Sequence, residues 1–198
     1  MRRYIKIHEG MYDSLNNLTY KQLILLLLLC KNDDSEEYIK KHYYKKNLKL
    51  YNDDLKKMVP YVEYIKQIRD AENPINKKQL KQNKELLPRY YKMKYETFEY
   101  VVNDKRITKI NLLIILSFIK MYQNTFVREH TVNINQFLFT TLGKKFTFRY
   151  KEFLIETLEI LKNWSYEDGS VFIKSYKIDG KKLTLEFDKK TKNGYKFV

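Results

Sequence analysis

The sequence predicts an α+β chain, mainly helical and in two parts: a helical N-terminal domain over residues 1–88 and a C-terminal domain with a small sheet over residues 89–198. Three observations predict it. Apolar runs with helix-start signals recur along the chain. Two alternating apolar/polar segments near the end are joined by Asp179-Gly180, a strong short-range hairpin signal. Apolar residues make up 43% of the 198, enough for a packed core and too many for a disordered tail.

The opening "MRRYIKIHEG" has two arginines but no apolar core of signal-peptide length. The run "LILLLLLC" ends at Cys30 and is too short to cross a bilayer, which takes about 20 residues. It reads as a buried helix, with Cys30 as a core residue. Thr19 can cap that helix, and Gln22 stands at its third position, as a capping box requires. Leu18 and Leu23 occupy the positions of a hydrophobic staple.

The same arrangement recurs downstream. With a two-residue gap, Glu9 falls on Glu96, Met11 on Phe98, Leu15 on Val102, Asn16 on Asn103, Thr19 on Thr108, Gln22 on Asn111 and Leu23 on Leu112. The match extends upstream of the helices, so the two segments read as copies.

After the first copy, residues 36–50 suggest a capped helix, and "NDDLKKMVPYVEYIKQIRDAE" another, interrupted or restarted at Pro60. Asn73-Pro74 ends it. Residues 75–88 are polar and basic with no tidy hairpin, so the N-terminal domain reads as helical: either a winged helix with a degenerate wing or a helical extension with a linker. After the second copy the order is clearer. A helix runs over residues 108–123, then a β-type segment over 129–134. A short helix over 135–143 is closed by glycine, "KKFTF" is a turn, and a helix covers 149–164. Its apolar face is Tyr150, Phe153, Leu154, Thr157, Leu158, Leu161 and Trp164. Strands over 171–178 and 181–187 follow. Helix, strand, helix, turn, helix, hairpin is the order of a winged helix-turn-helix.

Lys+Arg outnumber Asp+Glu by 39 to 24, a net charge of +15. That balance favours a polyanionic partner, nucleic acid before an anionic membrane. An AT-rich coding sequence would also enrich Lys, Asn, Ile and Tyr, so the position of charge carries more than its sum. Lys174, Lys177, Lys181 and Lys182 flank the hairpin turn, where they would meet phosphates. Lysines on edge strands also deter aggregation. Lys144, Lys145, Thr147, Arg149 and Lys151 surround the start of the third helix, and Arg149 can grip a guanine with two hydrogen bonds. Glu152, Glu156 and Glu159 lie further along that helix and would repel phosphates. Lys40, Lys41, Lys45 and Lys46 interleave with Tyr43 and Tyr44 in "KKHYYKK", a pattern suited to phosphate contact.

Catalytic signals are lacking, and the chain reads as no enzyme. His8, His42 and His130 form no ligand pair, and a single cysteine excludes a zinc finger and any internal disulfide. There is no glycine-rich phosphate loop. A tyrosine nickase would need a histidine cluster for metal. Asp33-Asp34 and Asp53-Asp54 each precede a helical pattern and read as caps. No metal, cofactor or small-molecule ligand is expected.

The duplicated plan resembles plasmid replication initiators that carry two winged-helix domains in one chain. The segment "YIKIHEGMYDSLNNLTYKQLILLLLL" resembles the entry of Firmicute plasmid replication and phage replisome-organiser proteins, where a short strand leads into a capped apolar helix. The likeness covers roughly residues 106–187 and 4–31. It implies that the third helix and wing contact repeated origin sequences and that the N-terminal domain dimerises. By resemblance, Lys144, Arg149, Lys181 and Lys182 take the C-terminal contact roles. The absence of a clear first wing and the acidic third helix are departures. The expected function is sequence-specific binding of double-stranded DNA in the cytoplasm, for replication or maintenance of a plasmid or phage. The expected partners are DNA, a second copy of the chain and replication proteins. A winged-helix transcriptional regulator and a replication adaptor that binds proteins through the same fold remain open.

Overall fold

The structure is a computed structural model and describes residues 4–31, 48–72, 89–124, 129–143 and 148–188. It is α+β and mostly helical, with two small antiparallel sheets. Two compact units divide the chain, Met1–Lys94 and Tyr95–Val198. The expected boundary after residue 88 stands upstream of a strand that pairs with the start of the chain, which moves residues 89–94 into the first unit.

In the first unit, β1 (Tyr4–His8) pairs antiparallel with β2 (Tyr90–Lys94), with Ile5 opposite Met93 and Ile7 opposite Tyr91. These four alternate with polar residues and are all buried, as a half-buried strand requires. Strand β2 falls in a stretch for which no strand was expected, because its "YYKMK" carries weak apolar alternation. A 3₁₀ segment, Glu9–Asn17, buries Met11 and Leu15 and leads to α1 (Tyr20–Lys31). Every residue of α1 from Gln22 to Leu28 is buried, as its unbroken apolar run implies. The Cys30 thiol packs on the Met11 sulfur at 4.0 Å. Burial pushes its pKa up to about 12, which makes it a packing group.

The expected interruption at Pro60 separates α2 (Leu48–Lys57) from α3 (Val59–Glu72). Met58 lies between them, and Pro60 falls in the first turn of α3, where its missing N–H costs nothing. The part of the expected helix over residues 36–47 lies outside the described residues, as do Asp33 and Asp34. Asp53 and Asp54 are not caps: they sit inside α2, and Asp54 is buried and accepts a hydrogen bond from Gln22 Nε2 at 3.1 Å. A carboxylate placed to receive a buried amide has a tertiary role that local sequence cannot signal. Helix α3 packs on α1 through Ile65 and Ile68, and Arg69 donates to the Leu29 carbonyl at the end of α1.

The second unit opens with α4 (Tyr95–Asn103), a turn, and α5 (Lys109–Asn124). Phe98 and Val101 are buried where Met11 and Leu15 are in the first copy, so the core position falls one residue before the aligned Val102. Then come β3 (Glu129–Asn133), α6 (Ile134–Leu142), α7 (Phe148–Lys162), β4 (Ile173–Asp179) and β5 (Lys182–Phe187). The sheet order is β3-β5-β4. Asn133 caps α6 by accepting from the N–H groups of Asn135 and Gln136, and Gly143 closes it at φ 63°. On α7 the buried residues are Leu154, Thr157, Leu158, Ile160 and Leu161. Tyr150 and Phe153, expected in that stripe, are half-exposed, because the stripe sets in only after the first turn. Tyr122 of α5 packs edge-on against Phe172 and Phe187, and Phe118 stacks on Phe137 of α6 at 4.9 Å.

Candidate nucleic-acid interface

The hairpin register decides where each lysine stands. Asp179 pairs with Lys182, so the two-residue loop is Gly180-Lys181 rather than the expected Asp179-Gly180. Gly180 takes φ 57°, which places the residue without a Cβ where a β-carbon would be strained. Lys181 is thus a tip residue and Lys182 opens β5. Both are exposed and, among the described residues, neither forms an ion pair.

Alternation puts Ile173, Ile178, Leu183, Leu185 and Phe187 toward the core, and Ser175, Lys177, Asp179, Lys182, Thr184 and Glu186 on the outward face. Strand β3 extends that face, with Asn133 beside Lys182, Thr131 beside Thr184 and Glu129 beside Glu186. The outward face is therefore polarised. A carboxylate row stands at the base, a threonine pair joined at 2.9 Å lies in the middle with Lys177 beside it, and Lys181 and Lys182 stand at the tip with Asp179. Lys174 belongs to the base. It falls at a bulge between Ile173 and Ser175, and its Nζ lies 3.4 Å from Glu186 Oε1. Its side chain stays 55% exposed in that pair, and Lys177 stands beside Thr184 in the middle of the face, so two of the four lysines, Lys181 and Lys182, stand at the tip itself.

The tip does not project alone. Strand β3 runs level with it, and the Ile134 N–H donates to the Lys181 carbonyl at 2.8 Å. This brings Lys181 and Lys182 to the N-terminus of α6, whose partial positive charge adds to theirs.

Arg149 and Lys151 stand on the first turn of α7, a separate element. Arg149 is exposed, and its guanidinium carbon lies 5.8 Å from the Phe153 ring centroid, one helical turn on. Glu152, Glu156 and Glu159 are exposed further along. Glu159 accepts a hydrogen bond from the Tyr176 hydroxyl, which ties α7 to β4. Burial, then that carboxylate, push the Tyr176 pKa up to about 12, so its proton stays in the bond at ordinary pH. Lys144, Lys145, Thr147, Lys40, Lys41, Lys45 and Lys46 lie outside the described residues.

Sequence reasoning missed two features here. Glu186 as the partner of Lys174 follows from counting the register out from a correctly placed loop. Phe139 and Phe148 are 58% and 73% exposed and flank the α6–α7 connection. Their signal is that both fall outside the apolar stripes of their helices. Among the described residues, no group of three or more His, Cys, Asp or Glu side chains is placed to hold a metal ion. Also among the described residues, no helix is long and apolar enough to cross a membrane. No protein-family model matches the chain, and no curated protein or solved structure matches it.

Proposed function

We propose that the chain binds double-stranded DNA sequence-specifically through a winged helix-turn-helix in its second unit. The order α5, β3, α6, α7, β4–β5, with β3 laid on β5, supports that assignment. One observation carries the DNA reading: the register sets Lys181 and Lys182 at the tip of a sheet face, with Lys177 one outward pair inward and Asp179 the one carboxylate beside them, next to the N-terminus of α6 and away from the Glu129–Glu186 row at the base. Cations and helix dipole at one edge suit phosphates, while the first turn of α7 offers Arg149 to a base edge. Lys144, Lys145, Thr147 and Lys151 are proposed to complete that contact, and Lys40, Lys41, Lys45 and Lys46 to add phosphate contacts from the first unit. The role in plasmid or phage replication, and dimerisation through the first unit, come from the resemblance of the capped, duplicated segments to initiator proteins.

The test is duplex binding by full-length protein with Lys181→Ala and Lys182→Ala combined. The expected result is weaker binding to every sequence alike; unchanged binding refutes the tip as a phosphate contact. A second reading, a replication adaptor that docks proteins on α7, is favoured by the exposed carboxylates of Glu152, Glu156 and Glu159.

A further inference from the structure

Large apolar side chains in water call for a partner when they gather beside one functional element. Among the described residues three such side chains are exposed: Val59 at 44%, Phe139 at 58% and Phe148 at 73%. Two of the three lie in the helix-turn-helix, with Phe139 on α6 and Phe148 as the first residue of α7. The core does not use Phe148, because the buried stripe of α7 begins at Leu154.

The neighbours of Phe148 say what covers it. Arg149 follows directly and rests against the Phe153 ring, which limits its rotamers and holds the guanidinium at the first turn. Lys151 stands on the same turn. Cations beside an apolar ring fit a surface that is anionic at its rim and apolar at one spot. The major groove of DNA is such a surface, with phosphates at its walls and the thymine C5-methyl as the apolar group among its base edges. Glu152 and Glu156 repel phosphates one and two turns further on, so only the first turn can enter, and Phe148 leads it.

We propose that Phe148 reads a thymine methyl in the major groove, next to a guanine held by Arg149. This rests on the DNA-binding reading above and goes further by naming the base step that the site prefers.

The experiment uses full-length protein to select duplexes from a random-sequence pool. Each thymine of the selected site is then replaced by deoxyuridine, which lacks only the methyl. For the wild type, and for Phe148→Leu, one position next to a guanine should cost about three- to fourfold in affinity, the value of one buried methyl-sized group. Phe148→Ala should be insensitive at that position, and its exposed site leaves folding intact. The proposal is overturned if no thymine is sensitive, or if Phe148→Ala is as sensitive as the wild type. Undiminished binding of every substituted duplex removes this proposal alone and leaves the DNA-binding reading standing. Failure to bind any duplex removes the DNA reading and this proposal together.

Discussion

At the third position of two helices, Gln22 and Asn111 do the same double duty. The side-chain oxygen of each accepts the backbone N–H of the capping threonine, from Thr19 at 3.0 Å and from Thr108 at 2.8 Å. The amide nitrogen of each then reaches into another helix, to Asp54 at 3.1 Å and to Thr157 at 3.0 Å. Asn111→Ala removes a cap and a buried hydrogen bond, and should cost about 2 kcal/mol in chemical denaturation. A double-mutant cycle with Thr157→Val should return a coupling of about 1 kcal/mol; additivity would show that the pair does not interact. The caps were legible in the sequence because their partners lie three residues apart. The second bonds were not, because their partners lie 32 and 46 residues away and nothing local marks Asp54 or Thr157 as receivers. At the same scale, Arg149→Ala should cost on the order of 1–3 kcal/mol on the preferred duplex and little on random duplex. Equal losses on both would deny it a base-reading role.

Among the elements, the hairpin has the most testable charge pattern. Lys174 is held by Glu186, so Lys174→Ala should change duplex affinity less than either Lys181→Ala or Lys182→Ala. Glu186→Gln releases Lys174 and should steepen the salt dependence of binding by up to about one unit of log–log slope. An unchanged slope, measured by anisotropy across a salt series, would show that Lys174 lies out of reach of phosphate. Element order from α5 to β5 was readable because caps, glycines and the hairpin signal act locally. The loop was misplaced by one residue because Asp-Gly names the turn without stating which residue is its first central one. Strand β2 escaped because its alternation rests on Tyr91 and Met93 alone among tyrosines and lysines, and its partner β1 lies at the other end of the first unit, where no local turn signal joins the two.

At the scale of the whole molecule, the strand-led, capped apolar helix occurs twice, and the strands that lead the two copies pair with each other as β1 and β2. The unit boundary after Lys94 falls between β2 and α4, so both strands belong to the first unit. A fragment of residues 95–198 should fold cooperatively and keep weak duplex binding, and a fragment of residues 1–94 should carry any self-association. A noncooperative melt of the 95–198 fragment would show that the halves share one core. Self-association would place two basic tips on one duplex and raise affinity through effective concentration. The central claim is that a chain of charge +15 holds DNA chiefly by phosphates gathered at a few cationic points. The most direct measurement is duplex affinity of the full-length protein against salt concentration. With about six phosphates neutralised, log affinity should fall against log salt with a slope near −5; a slope near zero, or no binding at low salt, would contradict the account.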